Sequence, residues 1–392
     1  MRDLIDSLFS GSEHYELYQG VIETVEGIVR DFPEDAWKRK MIGDAALDEQ
    51  VEKTIYGAGL MGLGVDQKYD GMGGGLLGQV LVTDMLGQNG LFSFAAVLTS
   101  FCREPLLNYG TTAQIEKYAV PSISGEKSFC ILATEPNAGT NTFNIGTRAV
   151  KKGDKWILNG QKTYITEAAR SDYGFLIART GLESPGALSV FVLDMKSPGI
   201  EMQELNIGVF GNERQYTVFF DEVELPEDAL VGEEGLGGKY MFAGLNAERL
   251  IISAMAVGTA DLALRETVKY VNERTLFDDK PTGSYQAVQH PLAKAKADTE
   301  AARLLMYHGV KLYDEGKDAG MYANMAKLQS SIAATDMTDA AIQFHGGSGM
   351  DEDTGMLALW RAARTLKIAP INNEMILNYI AQHTIGSVSY TH

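Results

Sequence analysis

The chain has 392 residues, 45% of them apolar, and a formal net charge of −18. That length supports two or three domains with sizeable cores. The acidic balance excludes a nucleic-acid surface, which needs a concentrated basic face, but leaves room for a basic pocket around a small anion.

The opening segment MRDLIDSLFSGSEHYELYQG is acidic and lacks an apolar signal region. No stretch approaches the ~18 uncharged apolar residues of a membrane span, so a cytoplasmic protein is expected. Residues 1–125 read as helical: Tyr15, Tyr18, Val21, Ile22, Val25 and Val29 recur on one helix face. Further helices are predicted over 48–58, ending at Gly59, and over 76–86. Gly73, Gly75 and Gly78 match GxGxxG literally, but no strand precedes them, so they read as a loop and helix start. Cys102 and Cys130 belong to no CxxC or Cys/His cluster and read as buried free thiols.

From 126 to 233 the period changes to two, with strands predicted over 146–150, 155–158, 174–179, 188–194 and 217–225 and a turn at Asn159-Gly160. From 234 to 392 the helical period returns in four long segments, roughly 238–272, 286–315, 319–344 and 355–384, separated by short loops. The expected fold is α+β in three parts: an N-terminal helical domain, a middle antiparallel β domain and a C-terminal four-helix bundle. The six histidines, His14, His290, His308, His345, His383 and His392, show no metal-ligand spacing, so no metal is expected.

The richest segment is Cys130–Thr166, where Thr134-Glu135-Pro136-Asn137-Ala138-Gly139-Thr140 precedes a β unit that closes on Lys162-Thr163-Tyr164-Ile165-Thr166. Hydroxyls at both ends with an aromatic beside the second suit a flat ring with polar edges. This pattern closely resembles the TEP-x-AG-S/T turn and W/Y-I-T strand of the acyl-CoA dehydrogenases. Gly59–Gly73, Tyr109-Gly110-Thr111 with Glu116-Lys117-Tyr118, Phe219–Pro226 and Gln343–Gly349 resemble further motifs of that family in the same order.

The resemblance implies FAD. Ala133, Thr134, Tyr164 and Thr166 would then hold the isoalloxazine, with Thr140 and Glu374 also facing the cofactor. Arg274, Phe277 and Gln286 would help hold the pyrophosphate and adenosine of a neighbouring subunit's FAD, and Gln343, Gly346 and Gly347 would approach the dinucleotide through a tight backbone turn. Asp278-Asp279-Lys280 here replaces a shorter glycine-containing turn of the family. The family's usual catalytic glutamate, in a Y-E-G-T turn, corresponds to Pro370. A minority, including isovaleryl-CoA dehydrogenase, carry the base in L-x-x-ER-L/I, matched by Leu245-Asn246-Ala247-Glu248-Arg249-Leu250, which makes Glu248 the candidate base.

Proline offers no N–H to polarise a thioester carbonyl, so Ile371 N–H is the candidate substitute. Arg249, Pro370 and Ile371 are the candidate substrate contacts. Phe210, Asn212 and Arg214 replace the arginine, serine and threonine of a further family motif, which leaves the substrate open. The implied reaction is oxidation of an acyl thioester, on CoA or a carrier protein, to the enoyl form. Glu248 would take the α-proton, flavin N5 the β-hydride, and an electron-transfer flavoprotein the electrons, in a homotetramer or homodimer. Enoyl-thioester reduction, a flavin oxidase reaction, and a non-catalytic flavin-holding subunit are the alternatives.

Overall fold

The computed structural model describes residues 1–181, 187–209 and 211–386, so Phe210 lies outside the described part. The N-terminal helices are α1 (Arg2–Phe9), α2 (Tyr15–Asp31), α3 (Ala36–Met41), α4 (Ala45–Gly57), α5 (Gly75–Gly87), α6 (Phe94–Tyr109) and the short α7 (Thr112–Gln114). The predicted face of α2 is the one it buries: Tyr18, Val21, Ile22 and Val25 are all in the core. The GxGxxG stretch is a helix start, and its N-terminal amides are already satisfied. Asp314 accepts from Leu76 N at 2.7 Å and Leu77 N at 3.0 Å, which leaves no anion site there.

The middle region holds β1 (Phe129–Leu132), β2 (Arg148–Lys152), β3 (Lys155–Thr166), β4 (Tyr173–Arg179), β5 (Leu188–Asp194), β6 (Ile200–Leu205), β7 (Gln215–Pro226) and β8 (Leu230–Val231). They form one sheet in the order β6-β7-β3-β2-β4-β5-β8, with β1 added on β4. The ladders are antiparallel apart from β4, which pairs parallel with β1 and at one register with β2.

The turn expected at Asn159-Gly160 does not form. β3 runs straight through it, because the long β7 offers a partner on both sides of a bulge between Leu158 and Gly160. Gly160 serves that close packing: a Cβ there would lie 2.7 Å from Thr147 Cα.

The C-terminal region is α8 (Gly237–Glu273), α9 (Gln286–Asp314), α10 (Gly320–His345), α11 (Met356–Thr365) and α12 (Asn373–His383). The fourth long segment, expected as one helix over 355–384, is therefore two. Pro370 cannot donate in a helix and its ring disfavours the helical conformation at Ala369, so the chain leaves α11 and restarts under the Asn372 cap. The N-terminal helices share one continuous core with the bundle: Ile22, Leu77, Leu81, Met255, Tyr307 and Leu359 belong to the same cluster. No described helix is long and apolar enough to cross a membrane.

At the centre of that core Arg303 of α9, 4% exposed, forks onto Asp84 of α5, 0% exposed, at 3.0 and 3.2 Å, and reaches Asp261 of α8 at 2.6 Å. Removing one partner of such a pair strands a buried charge. Arg303→Met is expected to lower stability by about 3–5 kcal/mol in urea unfolding, far beyond the loss from a surface pair such as Lys53–Glu49.

Candidate active site

The two ends of the Cys130–Thr166 segment meet. Thr163 N donates to Thr134 O at 2.9 Å, and the Lys162 ammonium donates to Ala133 O at 3.0 Å and to Glu135 Oε1 at 2.8 Å. Burial pushes the Lys162 ammonium down from its ordinary range, opposed by Glu135. Burial pushes Glu135 up, but the Lys162 charge and the Gly146 amide, 2.6 Å away, outweigh it and leave the carboxyl lowered.

This buried pair pins the turn of Ala133 and Thr134 beside β3. There a second bulge, between Lys162 and Ile165, puts Tyr164 at φ 58° and turns its ring outward, 61% exposed. Thr166 Oγ1 accepts from Gln215 Nε2 at 2.8 Å. An outward aromatic on left-handed backbone, flanked by fixed hydroxyls, fits the edge and face of a flat heteroaromatic ring.

Glu248 lies on α8, surrounded by protein on most sides. Burial pushes its carboxyl up to about 7, with Arg249 opposing and Glu104 of α6 adding to the rise. Glu104 is itself raised by burial, although Tyr313 of α9 donates to its Oε1 at 2.7 Å. Two desolvated carboxylates near one another compete for ionisation, so the site retains a proton near neutrality. One turn beyond Glu248, Ile251 reaches a cavity of about 50 Å³ also lined by Met61, Val82, Leu86, Phe92 and Val97.

The segment around Pro370 is held from two sides. The Lys327 ammonium donates to Ile371 O at 2.6 Å and to Asn373 Oδ1 at 2.9 Å. Asn372 Nδ2 donates to Thr140 Oγ1 at 2.9 Å, which ties the turn to the β domain. Burial and the nearby Arg249 charge push Lys327 down to about 7, with Glu374 opposing. Arg249 donates through Nη1 to Asn246 Oδ1 at 2.9 Å, while its Nε is buried without a partner among the described residues. Ile371 N–H finds no protein acceptor among the described residues.

Ala133, Thr134, Tyr164 and Thr166 thus lie together beside β3, Thr140 meets the Pro370–Ile371 turn through Asn372, and Arg249, next to Glu248, acts on the Lys327 that holds that turn. Glu374 is on the exposed side of the first turn of α12. Arg274, Phe277 and Gln286 lie exposed beyond the far end of α8, as do Gln343, Gly346 and Gly347 at the end of α10. At 1.5 Å per residue, the end of α8 is roughly 38 Å from Glu248. The Asp279 carboxylate faces solvent.

Glu104, Tyr313, Lys162 and Lys327 escaped the sequence reading. Lys162 and Lys327 carried a signal, each standing among the buried positions of an otherwise core-facing pattern. Asn212 and Arg214 lie on a loop docked to the N-terminal helices: a Cβ on Gly211 would lie 2.2 Å from Lys40 O, and Glu213 is buried.

Family profiles for the N-terminal, middle and C-terminal domains of acyl-CoA dehydrogenase match residues 12–126, 130–223 and 235–385. The chain belongs to the acyl-CoA dehydrogenase family. It is therefore an FAD-dependent oxidoreductase of the class acting on CH–CH bonds. It is 34% identical to the acyl-CoA dehydrogenase FadE12 of Mycobacterium tuberculosis, over 84% of this chain and 86% of that one. It is 30% identical to CarC, a subunit of the caffeyl-CoA reductase–Etf complex of Acetobacterium woodii, over 88% and 93%. The solved butyryl-CoA dehydrogenase of Megasphaera elsdenii superimposes at a TM-score of 0.84 with 29% identity, over 92% of this chain and 96% of that one.

The raised pKa of Glu248 has a thermodynamic consequence. Its carboxyl holds a proton up to about pH 7 when folded, against an ordinary value of 4.5, so stability is lost as pH rises from 4.5 through 7. At ~1.36 kcal/mol per pKa unit the cost reaches about 3 kcal/mol above pH 7. Glu248→Gln is expected to stabilise the protein by up to that amount in urea unfolding at pH 8 and by nothing at pH 4.5. Equal effects at the two pH values would count against a desolvated carboxylate.

Proposed function

We propose that the protein oxidises an acyl thioester, carried on CoA or a carrier protein, to its α,β-enoyl form, with Glu248 as the base that takes the α-proton. The observation that carries this reading is a desolvated carboxylate with a pKa near 7, one turn from an apolar cavity, in a chain whose position 370 is proline. A base titrating near neutrality is about half ionised at neutral pH and is a stronger proton acceptor than an ordinary carboxylate. FAD, when bound against Thr134, Tyr164 and Thr166, supplies the acceptor for the hydride leaving Cβ.

Ile371 N–H, free of any protein acceptor, takes the donor role closed to Pro370 and hydrogen-bonds the thioester carbonyl as charge gathers there. One such donor is worth ~3 kcal/mol of transition-state stabilisation. Lys327, by fixing Ile371 O, holds the peptide that follows Ile371. Arg249, beside Glu248 and with Nε unpaired, assists in binding the polar end of the substrate. Glu248→Gln should retain bound FAD, measured by its yellow absorbance, while losing substrate-induced bleaching by at least about 10³-fold in rate. Bleaching at the parent rate would sink the assignment of Glu248.

The distance between Glu248 and the end of α8 supports a second part of the reading. Arg274, Phe277, Gln286, Gln343, Gly346 and Gly347 serve the pyrophosphate and adenosine of FAD held on a neighbouring subunit, in a homodimer or homotetramer. Phe277 is 81% exposed and Leu276 44%, and Cβ atoms added at Gly346 or Gly347 would meet nothing within 4 Å. An electron-transfer flavoprotein is the proposed acceptor, in keeping with the Etf complex in CarC's name.

The same name, together with Pro370, favours enoyl-thioester reduction as the alternative direction; reoxidation of the reduced flavin by enoyl-CoA faster than bleaching by acyl-CoA would establish it. Phe277→Asp is expected to shift the protein toward monomer in light scattering and to reduce its FAD content together. An unchanged oligomer with full FAD would overturn the shared site.

A further inference from the structure

Three lysines are buried among the described residues, and two of them rest on carboxylates. Lys40 pairs with Asp48 at 2.8 Å and Lys162 with Glu135 at 2.8 Å. Lys327 has no such partner among the described residues. It is 0% exposed, yet its ammonium donates to two neutral oxygens, those of the Ile371 carbonyl and the Asn373 side-chain amide. Asn373 is buried too, and its Nδ2 donates to Ser331 Oγ at 3.1 Å, which leaves its oxygen facing the lysine. The charges that bear on Lys327 are Arg249 of α8, which repels it, and Glu374 of α12, which attracts it from an exposed position. Among the described residues, α9 and α11 add no charge to these two.

An ammonium withdrawn from water without a counter-ion is costly, and burial pushes Lys327 down to about 7. Such a fixed charge repays its cost where negative charge develops nearby during reaction. The acyl-thioester reading, on which this inference rests, supplies that charge: the thioester oxygen becomes more negative as the α-proton leaves. In that reading the oxygen sits on Ile371 N–H. A residue's amide nitrogen lies at most about 3.6 Å from its own carbonyl oxygen. With Ile371 O 2.6 Å from the ammonium, Ile371 N is within roughly 6 Å of it. A hydrogen bond of about 3 Å then places the thioester oxygen within roughly 9 Å. Position 370, which takes the place of the family's usual glutamate, is proline, so the turn holds no carboxylate to cancel the cation.

We propose that Lys327 is a positioning residue of the reaction: it holds the turn that carries Ile371 N–H and keeps an uncompensated positive charge behind it, so that the negative charge gathering on the thioester oxygen is the counter-ion the lysine otherwise lacks. Lys327 neither gives nor takes a proton in the step. The α-proton goes to Glu248, its electron pair forms the double bond, and the hydride leaves Cβ for the flavin. Arg249 adds to the same field from α8. The balance of charge in the site is then complete only while the α-carbon is being deprotonated, which favours that state over bound substrate.

The test uses the FAD-loaded enzyme with the best substrate from a panel of short, medium and long saturated acyl-CoA thioesters. A unit charge about 9 Å away at an effective dielectric of ~20 is worth roughly 20-fold in rate. Lys327→Met should therefore lower kcat for flavin bleaching by about 20-fold. The Kd of the matching S-alkyl-CoA thioether, which has no carbonyl, should change by less than about threefold in calorimetry. In the parent, kcat/KM should fall as pH rises through about 7, because the ammonium loses its charge there; the methionine variant should lose that alkaline limb. Asn373→Asp, nearly isosteric, sets a carboxylate on the ammonium and holds it charged, so the limb should move up by at least about one pH unit. If Lys327→Met fails to retain FAD, the limb of Asn373→Asp decides alone. Equal losses in kcat and thioether binding, or an alkaline limb absent from the parent or unmoved by substitution, overturns the role of Lys327 and leaves Glu248 as base. Bleaching of the parent by no thioester overturns the acyl-thioester reading and this inference with it.

Discussion

The fork of Arg303 onto Asp84 and Asp261 is the contact on which the helical body turns. It joins an N-terminal helix to two helices of the bundle through charges withdrawn from water, and Tyr307 closes it by donating to Asp84 Oδ2 at 3.2 Å. A buried ion pair of this kind adds little net stability over an apolar packing but tolerates few alternative arrangements. Its value lies in register. With α5, α8 and α9 locked at that level, Tyr313 of α9 reaches Glu104 of α6, whose charge bears on Glu248 of α8.

Two further buried lysines do for the site what Arg303 does for the body. Lys162 fastens Ala133 and Glu135 to β3, so that an outward Tyr164 stands beside fixed hydroxyls. Lys327 fastens Ile371 and Asn373, and through Asn372 and Thr140 the broken helix of the bundle is tied to the sheet. Each lysine meets carbonyl or carboxylate oxygens, which is how a buried ammonium is made affordable. The reacting region is thus assembled from the sheet, α8 and the 366–372 turn, none of which contains it alone.

The chemistry of the carboxylates follows from this packing. Glu248 is an unremarkable residue of a long helix until α6 and α9 close over it and remove water, and Glu104 then adds a second negative charge to the same space. The proline at 370 removes one donor and splits a helix, and the split leaves Ile371 N–H without a partner. On the proposed reading, the departure that looks like a loss in the sequence is a displacement by one residue.

Much of this was legible in the residue order. Helical and alternating periods marked the three regions, because burial of one face imposes a period on any chain that folds this way. The ordered motifs marked the family, and Glu-Arg on the first bundle helix offered the candidate base, since these depend on local residue types. The Asn-Gly pair misled, because a long partner strand outweighs a local turn preference. The break at Pro370 was hidden by a helical period running through it.

What the sequence could not contain was which distant groups share a space. The approach of Glu104 to Glu248 and the reach of Lys327 to Ile371 join positions far apart in the chain. Their energies exist only once water is excluded between them. The sequence by itself determined the family, the cofactor and the order of the parts; the tertiary structure decided the proton affinity of Glu248, because desolvation is a property of enclosed volume.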